Sequence, residues 1–314
     1  MSKLLNLEKI DKNYFKFETP VAVIGFFDGV HLGHKEIINA CIKKAKILNG
    51  KSIVLTFNKP PVNVIKSKTY KKLIISYEER IKIIDSLGVD YIVIADININ
   101  FLKLTPERFC KDILINKLCI KEIFVGDEFR FGFRAAGDVF FMNNFFKPYH
   151  VKVNVMPLLK VEDELVSSTN IRKYYSEGRI KKITDLLGRN PQVEGIVTKG
   201  AGRGKQLGFP TANIDICEFF VTPADGVYLG TVLINGEGDK MFPAIINVGK
   251  NPTFGESKKR IEAFLLNFKG NIYNKKIKIT FLEKLRDEMK FASKDNLINR
   301  IKLDLNYAKK YFNI

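Results

Sequence analysis

Histidine and cysteine are the scarce residues of this chain. Only three histidines stand among 314 residues, and two of them, His31 and His34, fall within one turn of each other. The four cysteines, Cys41, Cys110, Cys119 and Cys217, are scattered, with no CxxC pair and no Cys/His cluster, which argues against a structural zinc. Three of them lie in apolar, helix-like stretches and read as reduced, buried small hydrophobes. No apolar run approaches the roughly 20 residues of a membrane span. The opening MSKLLNLEKIDKNYFKFETP is too charged to hold a signal-peptide core. The expectation is a cytoplasmic protein. Acidic residues are outnumbered, 34 Asp and Glu against 52 Lys and Arg, for a formal charge of +18. Such a balance attracts nucleotides, nucleic acid or acidic lipids. The lysines are nevertheless spread along the whole chain, with no dense basic block and no interleaved aromatics. The charge therefore reads as solvated faces, and neither nucleic acid nor a membrane is expected as a partner. Internal repeats and low-complexity segments are absent as well.

What is present is a change of pattern part-way along. VAVIGFFD (21–28), KSIVLTF, DYIVIAD and IKEIFVGDEF read as strands. Between them lie helical stretches: HKEIINACIKKAKILNG, SYEERIKIIDSLG with Ser76 as N-cap and Glu79 three residues on, and TPERFCKDILINKL with Pro106 at its first position. Alternating strands and helices imply βαβ units and a parallel sheet, with ligands bound beyond the carboxyl ends of its strands. From about residue 190 short strands replace this pattern: VEGIVTKG, GVYLGTVLI, MFPAIINVG, RIEAFLLNF and KIKITFLE. They suggest a small antiparallel barrel. A last helix carries Leu297, Ile301, Leu305, Ala308 and Phe312 on one stripe, as if packed on that barrel. The boundary falls in LLGRNPQ, 186–192, dividing the chain into 1–187 and 188–314.

GFFDGVHLGH, Gly25–His34, sits where the first strand gives way to the first helix. Gly25, Gly29 and Gly33 permit an unusual turn or a close backbone approach. A helix N-terminus offers free N–H groups and a positive dipole end, and two imidazoles beside it make an anion site suited to phosphate. A pair of helix-capping structural histidines is the alternative; a metal site lacks a third ligand at suitable spacing.

This stretch resembles the HxGH motif of the nucleotidyltransferases, which attack the α-phosphate of ATP and expel pyrophosphate. SSTNIRKYYSEG (167–178) resembles their second signature, and LTFNKPP and VGDEFRFG resemble two further blocks of the bacterial bifunctional riboflavin kinase/FAD synthetase family. The resemblance implies a Rossmann-like adenylyltransferase domain in which His31 and His34 stabilise the ATP phosphates while FMN attacks. It implies that Gly25, Phe26, Asp28 and Gly33 line the nucleotide, that Ser168, Thr169 and Arg172 hold the outer phosphates, and that Asp127, Phe129 and Phe131 face the flavin. Plain core packing is the alternative for both phenylalanines. Two positions depart from the family pattern: Pro61 stands where His is usual, and Glu128 where Asp is usual.

GAGRGKQLGFPTANI, Gly200–Ile214, is neither a P-loop, since Gln206 follows Lys205, nor a Rossmann glycine turn, since Pro210 blocks the helix. A basic glycine loop remains, able to cradle phosphates, followed by Thr211 and Asn213, whose neutral oxygens suit Mg²⁺ together with nucleotide phosphates. The stretch resembles the riboflavin kinase signature ending in GFPTAN, and GVYLGTV, NVGKNPTFG and IEAFLLNF look like its later blocks. The resemblance implies that Gly204 and Lys205 bind phosphate, Thr211 and Asn213 bind Mg-ATP, Glu262 is the general base, and Arg286, in LRDEMKF, lies on the flavin side. Asn267 and Asn274 depart from the usual Asp and Gly. The implied enzyme converts riboflavin to FMN and FMN to FAD, using ATP and Mg²⁺. Rival readings are a chain with one module silent, a nucleic-acid-binding protein on an old nucleotide fold, or an added flavin-sensing role. Gly200–Gly208 and Gly249–Lys259 are candidate closing loops, and a homo-oligomer is left open.

Overall fold

The computed structural model describes residues 1–16, 18–60, 71–200, 202–235, 240–250 and 259–314. Pro61 and most of the 249–259 loop lie outside the described residues. The chain divides into two compact units, Met1–Ser168 and Thr169–Ile314.

The first unit is built on a six-stranded sheet in the order β1-β4-β3-β2-β5-β6. Its strands are β1 Lys3–Asn6, β2 Pro20–Ile24, β3 Lys51–Phe57, β4 Tyr91–Ala95, β5 Glu122–Gly126 and β6 Lys152–Met156, with every neighbouring pair parallel. Parallel sheets bury both faces. Alternate residues of β2 accordingly enter different cores: Ala22 and Ile24 join one, Val21 and Val23 the other. β2 lies beside both β3 and β5, so the chain order reverses there. Loops leaving β2 and β5 flank that switch point, where ligands of such sheets bind.

Local sequence explains most of the element ends. The helix Leu32–Ile47 is capped by His31, and the helix Tyr77–Ser86 by Ser76, whose hydroxyl accepts from Glu79 N at 3.2 Å. Thr105 caps the helix that opens at Pro106, but only Pro106–Arg108 of the expected stretch is α-helical. Phe109–Ile115 winds as a π-helix, with Asn116 N bonding Lys111 O and Leu118 N bonding Ile113 O at 2.9 Å. Phe109, Cys110, Ile113 and Leu114 all enter the core, a spacing that also fits one face of an α-helix. The expected strand over 21–28 stops at Ile24, because Phe27 and Val30 take positive φ, 55° and 38°. Cys41 and Cys110 are buried, whereas Cys119 is half-buried and Cys217 exposed.

The second unit carries a closed antiparallel barrel in the order β10-β13-β12-β11-β14-β9. The two-stranded β7 Lys160–Val161 and β8 Glu164–Leu165 precede it in the first unit. The barrel strands are β9 Gln192–Thr198, β10 Ala212–Asp215, β11 Gly226–Ile234, β12 Met241–Lys250, β13 Lys259–Leu265 and β14 Lys276–Arg286. Strand alternation sends Ile246, Val248, Ile261, Ala263, Tyr228 and Phe281 inside, all but fully buried. Their neighbours Ile245, Asn247, Glu262 and Phe264 point outward, and the helix Lys294–Phe312 lies over that outer face. Ala308, Leu305 and Phe312 of the expected stripe pack there with Leu229 and Leu266.

Candidate functional site

Two groups of the anticipated residues are drawn together, one in each unit. In the first, the loop from β2 to its helix is strained and firmly held. Val30 is β-branched and buried at positive φ, a conformation that persists only where surroundings enforce it. The Asp28 carboxylate accepts from Ile74 N at 3.0 Å, and Asp28 O accepts from the Ser168 hydroxyl at 3.0 Å. The second signature thus touches the first loop through Ser168; Thr169 and Arg172 continue along the helix Ser168–Glu177 in the second unit. Phe26 O accepts from Arg80 Nη1 at 2.8 Å and from the Thr56 hydroxyl at 3.3 Å. Arg80 also donates to Phe57 O, and its guanidinium lies 4.1 Å from the Phe26 ring centre. This buried arginine joins the ends of β2 and β3. Burial pulls it down to about 10, while Asp28 opposes the fall. An isolated arginine in a helical pattern gives no sequence signal of such a role.

His31 precedes the helix instead of standing on it. Its Nδ1 accepts from His34 N at 3.2 Å, so in the neutral ring the proton is carried on Nε2. The two imidazoles stack, with centres 3.5 Å apart and planes at 16°. A Cβ at Gly33 would stand 3.4 Å from the His31 ring, an ordinary contact, so the stacked pair does not itself demand glycine there. Gly25 does make room, for Phe27, whose ring would meet a Cβ at 2.7 Å. Phe27 in turn meets the His34 ring edge-on at 5.2 Å. His34 is held neutral, well below its ordinary 6.5, first by burial and then by His31 and Arg80. Its Nδ1 is buried and has no hydrogen-bond partner among the described residues. At the end of β5, Asp127 is exposed, Phe129 half-buried, and Phe131 only 7% exposed within the core. Phe129 and Phe131 stack at 5.5 Å.

In the second unit, β-register builds the site. Asn213 on β10 stands opposite Glu262 on β13, and Glu262 opposite Asn247 on β12. The row continues through Val227 on β11 to Arg286 on β14. Directly paired residues share a face, so these side chains line one belt around the barrel. The Thr211 hydroxyl donates to Glu262 Oε2 at 3.2 Å. Arg260 bonds Asn213 Oδ1 and lies 3.2 Å from Glu262 Oε1. Gly204 packs beside Thr211, where a Cβ would be 3.1 Å from its hydroxyl, and Lys205 lies on the same short helix Arg203–Gln206. A cavity of about 590 Å³ is walled by Thr211, Asn247, Glu262, Phe264 and Arg286, and closed by Phe291, Leu297 and Ile301. Arg286 is oriented by Asp304, whose Oδ2 takes Nε at 2.9 Å and Nη2 at 2.8 Å. Asn247, Arg260 and Asp304 were missed from the sequence. Arg260 had a signal, because it lies two residues from Glu262 on one strand face.

The FAD synthetase family profile matches residues 16–170, and the riboflavin kinase profile residues 187–312. A bifunctional riboflavin kinase/FMN adenylyltransferase from Buchnera aphidicola subsp. Schizaphis graminum is 36% identical, over 98% of this chain and 97% of its own. The chain belongs to the bifunctional riboflavin kinase/FMN adenylyltransferase family. A family member from Bacillus subtilis is 31% identical over 93% of this chain and 92% of its own. A crystal structure from Streptococcus pneumoniae, named a macrolide-efflux protein, superposes with a TM-score of 0.85 at 29% identity, covering 98% of both chains. Among the described residues here, no helix is long and apolar enough to cross a membrane. Family membership makes this an enzyme of flavin cofactor biosynthesis with two activities, riboflavin kinase and FMN adenylyltransferase.

Proposed function

We propose that each activity resides in one of the two residue groups, the kinase residues all lying beyond the expected boundary at 187/188. In the kinase, Glu262 accepts the proton of the ribityl 5′-hydroxyl as its oxygen attacks the γ-phosphorus of ATP, giving FMN and ADP. The observation that carries this reading is the Thr211–Glu262 pair on the wall of the 590 Å³ cavity, with Asn213 in register beside Glu262. A carboxylate has lone pairs to spare, so Glu262 can hold the Thr211 hydroxyl and still accept a proton. The Gly204–Lys205 turn takes the nucleotide phosphates. Arg286, fixed by Asp304, stands on the flavin side with Phe291 and Phe264.

Two neutral oxygens, Thr211 Oγ1 and Asn213 Oδ1, beside one carboxylate fit Mg²⁺ bound jointly with phosphates. No cluster of three His, Cys, Asp or Glu that could hold a metal occurs among the described residues, so this site depends on the nucleotide for its other ligands. Bound there, the ion would neutralise charge on the phosphates.

In the adenylyltransferase, the FMN phosphate attacks the α-phosphorus of ATP and pyrophosphate leaves. His31 donates from Nε2, and neutral His34 offers a second hydrogen bond without placing a fixed charge in the core. Gly25, Phe26, Asp28 and Gly33 shape the pocket, and Ser168, bonded to Asp28 O, stands at its edge for the departing phosphates. Asp127 and Phe129 face the flavin, with Phe131 beneath Phe129 as support. The enzyme acts on small molecules in the cytoplasm, with no nucleic-acid partner; its positive charge is dispersed along the chain.

A chromatographic time course of the full chain with riboflavin, ATP and Mg²⁺ tests the whole reading. FMN should appear first and FAD follow. FMN accumulating without FAD would sink the role given to the histidine site, and no conversion by folded protein would sink both.

A further inference from the structure

We propose that Arg260 is an internal cation of the kinase site: it occupies the gap between Asn213 and Glu262 while the nucleotide is absent, and transfers to the nucleotide phosphates when metal and nucleotide arrive. The proposal rests on the reading of Asn213 as a metal ligand and Glu262 as the base.

Register brings the three groups together. Arg260 and Glu262 are two apart on β13, and Glu262 is paired with Asn213 on β10. One guanidinium spans both partners, with Nη2 on Asn213 Oδ1 and Nε 3.2 Å from Glu262 Oε1. Asn213 has little freedom to evade it. Its residue is only 8% exposed, and Gly200 lies against its amide so closely that a Cβ there would come within 1.9 Å of Nδ2. The amide is therefore backed on one side and capped by Arg260 at its oxygen. That same oxygen is the one a divalent cation needs. Two cations cannot share one amide oxygen without strong repulsion, so Arg260 and the metal exclude each other.

The displaced side chain has somewhere to go. About a third of it, 34%, is exposed, so it can turn without unpacking the barrel. A guanidinium also binds phosphate oxygens bidentately, in a geometry that ammonium does not reproduce. Arg260 thus neutralises the carboxylate and the amide dipole in the empty site. In the loaded site it adds positive charge to the transferring phosphate. The exchange makes metal binding depend on nucleotide binding, which suppresses capture of a bare ion.

The test is Mn²⁺ binding to the full chain by electron paramagnetic resonance, with and without ADP. The Asn213→Ala variant defines the share of bound ion that belongs to the kinase site. Arg260→Gln should bind Mn²⁺ about tenfold more tightly without nucleotide, and Mn-ADP about tenfold more weakly, the worth of one charge-assisted hydrogen bond in each state. Arg260→Lys should keep the bare ion out yet fail to restore nucleotide affinity, because it lacks the fork. Equal nucleotide-free Mn²⁺ affinity in wild type, Arg260→Gln and Arg260→Lys would overturn the proposal while leaving the metal assignment standing. Unchanged Mn-ADP binding in Asn213→Ala would overturn the metal assignment, and the proposal with it. Arg260→Lys keeps the charge and the packing, so it supplies the comparison if the glutamine variant does not fold.

Discussion

At the scale of single residues, the two sites differ in how they handle charge. The kinase site gathers ionised and neutral oxygens at the cavity wall, with Glu262 bridging Thr211 and Arg260. The histidine site is buried, and it keeps His34 uncharged. Separate substitutions should therefore separate the activities. Glu262→Ala removes the base and should reduce FMN formation by about 10²–10⁴-fold, leaving FAD formation from supplied FMN intact. His31→Ala removes a donor to the developing phosphate charge and should reduce FAD formation by about 10²–10³-fold, leaving FMN formation intact. Chromatographic assay of each variant with each substrate checks both, and loss of both activities in either folded variant contradicts a two-site enzyme. His34 also makes a stability prediction. Its folded value lies well below the ordinary 6.5, so below that pH the unfolded chain takes up a proton that the folded chain refuses. Stability from this source is present above about pH 6.5 and lost as the pH falls. The thermal midpoint of the wild type should drop more between pH 7.5 and pH 5 than that of His34→Gln, measured by calorimetry.

At the scale of elements, legibility in the sequence follows from how local the cause is. Strands such as Lys51–Phe57 and Gly226–Ile234 run where their apolar letters run, because both faces or alternate faces are buried. Caps at Ser76, Thr105 and Ser293 are equally local, since each side chain bonds a backbone N–H three residues on. The π-helix at Phe109–Ile115 was not legible, because the spacing of its buried residues fits an α-helix equally well and only the i+5 bonds of the folded chain show the wider turn. β1 was missed for a related reason: its pairing with β4 supplies the order that Lys3–Asn6 lacks alone. Pairing across the fold hid Asp304 most completely. In the terminal helix it reads as one more charge on a solvated face, yet it is 4% exposed and takes Arg286 from β14 and Arg300 from its own helix, the latter at 3.3 Å. Asp304→Ala leaves two guanidinium groups facing each other without their carboxylate. It should lower stability by about 3 kcal/mol, as loss of one partner from a buried pair does. Denaturant unfolding of the variant measures this, and a change under about 0.5 kcal/mol would show that the pair contributes as little as an exposed one. The same variant should raise the KM for riboflavin more than it lowers kcat, since Arg286 loses its orientation while Glu262 is untouched.

At the scale of the whole molecule, the compact units and the matched families divide the chain at different places. The FAD synthetase match ends at residue 170 and the riboflavin kinase match begins at 187, whereas the second compact unit begins at Thr169. The helix Ser168–Glu177 lies in the stretch that resembles a nucleotidyltransferase signature, yet from Thr169 onward it falls, with the helix Ile180–Leu187, in the unit that holds the barrel. Tyr175 O accepts from Ala224 N at 2.9 Å, and Gly178 lies so near the Tyr228 hydroxyl that a Cβ would stand 2.8 Å from it. The helix Ile180–Leu187 packs on β14, with Ile180, Ile183, Leu186 and Leu187 buried. A cut at 187/188 would remove these partners and expose barrel surface to water. Each fully buried aliphatic side chain is worth about 1.5–3 kcal/mol, a loss comparable with the stability of a small domain. A fragment of residues 169–314 should therefore fold and phosphorylate riboflavin, while a fragment of residues 188–314 should be markedly less stable. Thermal unfolding and FMN formation by the two fragments decide between the divisions. Equal stability and equal kinase activity would place the working boundary at 187/188, and would reduce the two helices to a connector that the barrel does not need.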